Sequence, residues 1–469
     1  MARSTALRWA ATIALATLPL AACAPPGVRR AERPVLTEPL RATPYPRDAS
    51  AGTEIDAGGC RLVGAASAPA VEAASTALRA PTPPRPMRGD PAFSPGALPQ
   101  AQRCWYEELW QVIHHETRNR QVTSRAGSDD LYTYARSLHT HLVALMAAFR
   151  LTGDLDLLDE IDRLAQHMRA KLDDSWRGPA FADAGGIDGY LNWVWRQSSA
   201  QYRGRDEHQI DEMRTHAVVA QFAWAFRANA DLLSPHGVDY AERAEFWTTY
   251  LRDHFEAKWR ERSDTPWPSF PFLSRPHMHE TVTFVRYHHY MSLLTGEDAY
   301  AREAERLTGI VLGNMRTAST PRGPALVWPR SVLSLGGSLE YLMPTTYGRY
   351  VASDVVDLYL EQVDGWGADV IENVARTLTE FVIDEGAASF ARDIGGGVAR
   401  AGIAPSPTSW SRFTDDKYVI SPYALVGAWD DTGEASAVAT AAYAEAGSRL
   451  RDVFIPVGKL LELARAAND

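Results

Sequence analysis

Between His277 and Tyr290 the chain reads His-Met-His-Glu-Thr-Val-Thr-Phe-Val-Arg-Tyr-His-His-Tyr. At helical spacing His279, Thr283, Arg286 and Tyr290 fall on one face (i, i+4, i+7, i+11). The other faces carry Val282, Phe284, Val285, Met291, Leu293 and Leu294, which read as core. A helix that is apolar over most of its surface, yet keeps a stripe of His, Arg and Tyr, is expected to line a cleft. Such side chains can accept a proton, return it and hold an anion. The extra histidines, His277, His288 and His289, match no zinc spacing, because side chains two apart on a helix point apart. No catalytic metal and no organic cofactor is therefore expected. A structural Ca²⁺ in an acidic loop such as Asp415-Asp416 stays open.

The elements that must position this stripe are helical. From Cys104 onward the pattern is helical and weakly repetitive. Ser137 to Arg150 can be laid over Arg214 to Arg227, which matches His139 with His216 and Ala148-Phe149-Arg150 with Ala225-Phe226-Arg227. Leu151-Thr152-Gly153-Asp154 recurs as Leu294-Thr295-Gly296-Glu297, a glycine suited to a helix C-cap and an acid suited to the next N-terminus. Each unit reads as an inner helix, a tight turn and an outer helix such as Leu157 to Lys171 or Tyr300 to Met315. Further inner helices are expected to start near Ser353 and near Tyr423. Strand candidates are few and weak, at Phe381 to Gly397 and Val453 to Pro456. Long loops, Ser175 to Arg205, Asp264 to Met278, Thr317 to Thr346 and Ala404 to Tyr418, are rich in Trp, Tyr, Pro and Gly. Loops of that kind are often functional.

Repeated α-hairpins with His, Tyr and Arg on inner helices and aromatics in the loops resemble an (α/α) toroid, complete or incomplete. The chain is similar to polysaccharide lyases of the alginate-lyase and glucuronan-lyase type over about residues 104 to 465. The likeness is one of architecture and residue type, and the Asn-Asn-His-Ser-Tyr-Trp signature of some alginate lyases does not occur. The resemblance implies cleavage of a uronate-containing polysaccharide by β-elimination. That reaction needs a cation at the C6 carboxylate, a base for the C5 proton and an acid for the leaving O4. His216 is the first choice for the base or carboxylate partner, and His279 belongs to the same set. Arg286 is the carboxylate clamp, since guanidinium binds carboxylate bidentately. Tyr290 is the proton donor, with Tyr287 and Tyr347 as competitors. His139 either shares the cleft or only a packing slot. Glu207 and Glu280 are candidate substrate contacts, and the loop residues Trp193, Trp195, Trp267, Trp328 and Trp410 could stack on sugar rings.

Two other functions fit parts of the pattern. A toroidal glycoside hydrolase would need two opposed carboxyl groups, for which Glu280, Glu207, Asp354 and Asp357 are available. A surface glycan-binding lipoprotein would need aromatic loops and no chemistry. The His-Thr-Arg-Tyr stripe favours the lyase over both. No Gly-x-Ser-x-Gly elbow and no Gly-rich nucleotide loop occurs.

Composition bounds these readings. The chain has 469 residues, is 45% hydrophobic, and carries a net charge of −10, which argues against a general nucleic-acid binder. It does not exclude a polyanionic substrate. Residues 1–22 read as a signal peptide: Arg3 and Arg8, an apolar stretch from Ala10 to Leu20 too short to span a bilayer, then Leu20-Ala21-Ala22-Cys23. That ending resembles a bacterial lipobox, implying lipidation of Cys23, and Ala24 after it implies the outer membrane, facing periplasm or cell surface. Residues 23–100 read as a Pro/Ala-rich tether and 101–469 as a catalytic domain acting as a monomer. Cys60 and Cys104 are expected to form a disulfide, with two free buried thiols as the alternative.

Overall fold

The computed structural model describes residues 40–45, 87–177, 186–196, 208–262, 277–332, 341–383, 391–406, 422–430 and 452–467; residues 174–177, 186–188 and 209 enter as backbone alone. The fold is mostly helical. In chain order the helices are α1 Gln100–His114, α2 Glu116–Ala126, α3 Leu131–Thr133, α4 His139–Thr152, α5 Leu155–Arg169, α6 Gln209–Ala228 and α7 Tyr240–Tyr250. They continue with α8 Ala257–Arg262, α9 Met278–Thr295, α10 Asp298–Asn314, α11 Thr345–Leu360, α12 Ala368–Thr377, α13 Tyr423–Gly427 and α14 Phe454–Ala466. Wide π-type turns at Tyr134–Leu138 and Leu251–Glu256 join α3 to α4 and α7 to α8, and a third, Leu378–Val382, follows α12.

Two classes of helix follow from burial. Helix α4 is buried along its whole length, and α9 nearly so, because both are enclosed by other helices. Helix α10 instead turns Tyr300, Ala304, Leu307 and Val311 inward and leaves the opposite side wet. Helix α4 packs on α6, α6 on α9, α9 on α11, α11 on α13, α13 on α14, and α14 again on α4. Helices α5, α7, α10 and α12 lie against α4, α6, α9 and α11 respectively.

The two matching turns form as the sequence suggests. Gly153 and Gly296 cap α4 and α9 with φ of 72° and 70°, a left-handed conformation that only glycine adopts freely. Gly153 also has no room for a side chain, since a Cβ there would sit 2.8 Å from the backbone nitrogen of Asp90. At α14, a Cβ on Gly458 would sit 2.4 Å from the carbonyl oxygen of Ala424, so this glycine sets how closely α13 and α14 cross.

Several expectations are corrected. The strands are β1 Asp173–Arg177 with β2 Gly186–Asn192, and β3 Arg316–Thr320 with β4 Gly323–Val327, two antiparallel hairpins within segments read as loops. Val453 to Pro456 instead enters α14, where the proline sits in the first turn and removes no helical hydrogen bond. Phe381 and Val382 end a wide turn, and α11 begins at Thr345, eight residues before Ser353. The proposed tether is fastened to the body at two places. Tyr45 stacks on His236 at 4.3 Å, and the Ala42 carbonyl accepts from Asn119 at 3.1 Å and Thr123 at 3.2 Å. Met87 is buried, and the Asn229 amide bridges the Met87 carbonyl at 2.8 Å and the Gly89 N–H at 2.6 Å. Cys104 is disulfide-bonded; Cys60 and the lipobox Cys23 lie outside the described residues.

Glu256 gives the fold a pH signature. It is fully buried and accepts hydrogen bonds from Tyr287 at 2.7 Å and Tyr300 at 2.6 Å. Burial pushes its carboxyl up to about 8, against the two phenol donors. A carboxyl whose folded value is raised favours the folded state while protonated, so that contribution fades as pH rises from its ordinary value through about 8. The melting temperature of the wild type should therefore fall between pH 5 and pH 8.5, and Glu256→Gln should flatten that decline. An unchanged slope in scanning calorimetry would sink this account.

Candidate functional site

The polar stripe on α9 meets a second stripe with the same spacing on α11: Tyr350, Asp354, Asp357 and Glu361. The two align in order. The His279 ring lies 6.4 Å from that of Tyr350, Thr283 donates to Asp354 at 2.7 Å, Arg286 bridges Asp354 and Asp357 at 2.8 Å each, and Tyr290 donates to Asp357 at 2.8 Å. Contacts in the same order make the helices parallel neighbours. Helix α6 joins through Arg214 and Gln221, and α4 through His139 and Arg150. A column of polar groups thus runs down the middle of four helices.

One part of the column is closely bonded around Arg286, although Nε and Nη1 of Arg150 have no hydrogen-bond partner among the described residues. Arg286 donates through Nε to Asp357, through Nη1 to Asp354, and through Nη2 to Gln221 at 2.7 Å; Nη1 also lies 3.3 Å from His139 Nε2. Gln221 returns a bond to Asp357 at 2.7 Å, and Arg150 pairs with Glu361 and reaches Tyr290 at 3.2 Å. Burial alone would lower the Arg286 guanidinium, but Asp357 and Asp354 raise it. Burial pushes the Tyr290 phenol well up, as do Asp357 and Glu361. Arg286 and Tyr290 are therefore spent on structure, contrary to their expected roles as clamp and acid. Asp354 and Asp357 share one arginine and do not face each other across a cleft.

The other part of the column is positive. The Arg214 guanidinium lies over the Tyr350 ring, 3.7 Å from its centroid, and Arg349 donates to the Tyr350 hydroxyl at 2.9 Å. Arg136 stands 6.0 Å from the same ring and is paired with Asp211 at 2.8 Å. Burial would push the Tyr350 phenol up. The guanidiniums of Arg349, Arg214 and Arg136 outweigh it and bring the group down to about 8. Asp211 resists its own burial through Arg136 and His208 and is held at about 2. All three nitrogens of Arg214, both ring nitrogens of His279 and Nδ1 of His139 are buried without a hydrogen-bond partner among the described residues. Burial drives both histidines well below their ordinary value, and nearby arginines add to that, so both are neutral. Towards the surface from here lie Arg136, half-buried Tyr347 and exposed Tyr132, the two rings 5.7 Å and 5.6 Å from the Arg136 guanidinium.

The remaining expected residues sit elsewhere. His216 is buried with both nitrogens engaged, Nδ1 at the Glu212 carbonyl (2.6 Å) and Nε2 at the Tyr250 hydroxyl (2.8 Å), and its ring stacks on Phe255. It does not join His279 and is not placed to act as a base. Tyr287 is bound to Glu256. Glu280 is buried at the start of α9. Trp193 donates to the Met168 carbonyl at 2.9 Å; Trp195 donates to Asp211 at 2.9 Å and stacks on His208; Trp328 is buried. These three close the ends of the helices and offer no open ring face. Glu207, Trp267, Trp410 and Asp415-Asp416 lie outside the described residues. Among the described residues no group of three or more metal-ligating side chains occurs, and no helix is long and apolar enough to cross a membrane. Comparison of the chain with protein-family models, with characterised proteins and with solved structures finds no match.

The two arginines should respond oppositely to removal. Arg286→Met leaves two aspartates uncompensated in a dry interior and should cost about 3–5 kcal/mol. Arg214→Met removes a buried charge that stacks on a ring, makes no hydrogen bond among the described residues and feels Asp211 and Asp354 only through the field. It should leave stability unchanged or raise it by about 1 kcal/mol. Urea denaturation of both variants checks this, and equal losses would show that Arg214 is also structural.

Proposed function

We propose that the chain is a polysaccharide lyase that cleaves an acidic, uronate-containing polysaccharide by β-elimination. In this reading α4, α6, α9, α11, α13 and α14 are the inner helices of an (α/α) toroid, and the Tyr350 end of the polar column is the active site. The closed circuit of helix contacts supports the architecture. The observation that carries the function is Tyr350, a phenol brought down to about 8 beneath an arginine whose three nitrogens have no hydrogen-bond partner among the described residues.

The chemistry follows from those two groups. The C5 proton of a uronate is weakly acidic because the adjacent carboxylate is already negative. Arg214, with five donors and no acceptor, neutralises that carboxylate and stabilises the charge that develops on it when C5 is deprotonated. Tyr350 as phenolate takes the proton; at pH 8 about half of it is in that form. The C4–O4 bond then breaks, its electrons leave with O4, and a C4–C5 double bond forms. The Tyr350 O–H, now on the same side, returns its proton to O4. His279 lies beside Tyr350 and is neutral, able to hold a sugar hydroxyl. Tyr347 and Tyr132, nearer the surface, offer ring faces. No cofactor is required.

A hydrolase reading has less support. The acid described at this end, Asp211, is tied to Arg136 and held low, whereas a glycosidase acid must be raised. We also propose, on the lipobox alone, that Cys23 anchors the protein to the outer membrane.

Incubation with alginate, glucuronan, pectate and glycosaminoglycans should give, on one of them, the ultraviolet absorbance of an unsaturated uronate. Reducing ends without that absorbance would mean hydrolysis. Tyr350→Phe should lower kcat about a thousandfold. The wild-type kcat/KM should rise with pH to a plateau above about 8, because the base must be deprotonated. A lyase whose profile ignores Tyr350→Phe would displace this residue from the reaction.

A further inference from the structure

We propose that His139 is a substrate-contacting residue of this site: a neutral imidazole, locked by Arg286 with its proton on Nδ1, that donates to a carboxylate bound beside Arg214. The proposal rests on reading the Arg214 end as an anion site, and not on the reaction performed there.

The argument begins with what Arg286 cannot do. A guanidinium only donates. Its Nη1 lies 3.3 Å from His139 Nε2, so Nε2 faces a donor and must accept. Arg286 cannot turn away, because Asp354, Asp357 and Gln221 fix its other bonds. An imidazole protonated at both nitrogens would set N–H against N–H at that contact, next to a positive charge. The ring is thus neutral, and its single proton is on Nδ1. That atom is buried and has no partner among the described residues, and its ring stands edge-on to Tyr350 at 6.3 Å between centroids. The charges that bear on it are those of Arg286, Arg214 and Arg349. A buried N–H without an acceptor is costly, and here it adjoins a guanidinium in the same condition. Both are donors, so the ligand must supply acceptors and negative charge, which a carboxylate does with two oxygens. Neutral His279 has one donor and one acceptor nitrogen, a match for a hydroxyl, which uses both. A uronate, the substrate class of the proposed function, supplies both a carboxylate and neighbouring hydroxyls.

The network around Arg286 then has a task. It holds Arg286 so that His139 can present one particular nitrogen.

Histidine tautomer and side-chain geometry give the test. In ¹⁵N-histidine spectra of the wild type, His139 should show a protonated Nδ1 and an unprotonated Nε2; the reverse tautomer overturns the proposal. Binding of D-glucuronate is measured by calorimetry on the full chain. An asparagine amide falls near Nδ1 and a glutamine amide near Nε2, so His139→Asn should bind within about threefold of wild type. His139→Gln and His139→Leu should be weaker by about tenfold or more. His139→Leu binding as tightly as wild type, Gln outperforming Asn, or no glucuronate binding by the wild type would each overturn it. If a variant does not fold, the tautomer measured in the wild type decides. Glucuronate bound in this manner without any elimination product would refute the lyase and leave His139 in place. Elimination product together with an Nε2–H tautomer would do the opposite.

Discussion

A single guanidinium shared by two aspartates, sealed from water, sets the arrangement of the helices around it. Arg286 takes Asp354 and Asp357 from α11, Gln221 from α6 and His139 from α4, so each of its nitrogens belongs to a different obligation. Isolated charges in such an interior are very costly, and the cost is met only when every partner is present at bonding distance. Helices α4, α6, α9 and α11 can therefore adopt one register relative to each other. A shift by one turn would separate Arg286 from one of its two aspartates.

That constraint makes the opposite end affordable. The network around Arg286 and Arg150 is close to charge-balanced, whereas around Tyr350 Arg136, Arg214 and Arg349 outnumber the aspartates that bear on them, Asp211 and Asp354. An excess of positive charge would loosen a less firmly held core. Here it persists because the neighbouring network fixes the backbone on which Arg214 and Tyr350 stand, and the stack on the phenol ring recovers part of the cost. Structural and functional groups alternate along the same helices, and two adjacent turns of α11 serve different ends.

Part of this was legible in the sequence. The α9 stripe is a true face, and phasing alone finds it, as it finds the glycine-capped turns at Gly153 and Gly296. What phasing cannot do is say whether a polar face is turned to substrate or to another polar face. The missing signal was a second stripe of the same spacing, Tyr350, Asp354, Asp357 and Glu361. Two such stripes in one chain invite pairing, and pairing ties up Arg286 and Tyr290 while leaving Tyr350 to the arginines around it. Arg214 was hidden for another reason: it lies two residues before His216, on a different side of α6, and the repeat drew attention to the histidine. His216 is the satisfied core histidine that a lone His in an apolar helix usually is. The hairpins β1–β2 and β3–β4 were missed because short strands bounded by Pro and Gly resemble loops in composition, and the docking of Tyr45 and Met87 depends on partners more than sixty residues away.

The parallel order of these helices has an electrical consequence. His139 opens α4, Arg214 lies in the second turn of α6, His279 in the first of α9 and Tyr350 in the second of α11. The N-terminal turns of α6, α9 and α11 therefore lie on the side where the arginines already gather, and their helix dipoles add to the positive charge there. The chain as a whole is an anion of −10. The net negative charge of the chain and the local positive charge at this end of the column thus act in opposite senses on an anion, and added salt would screen both fields.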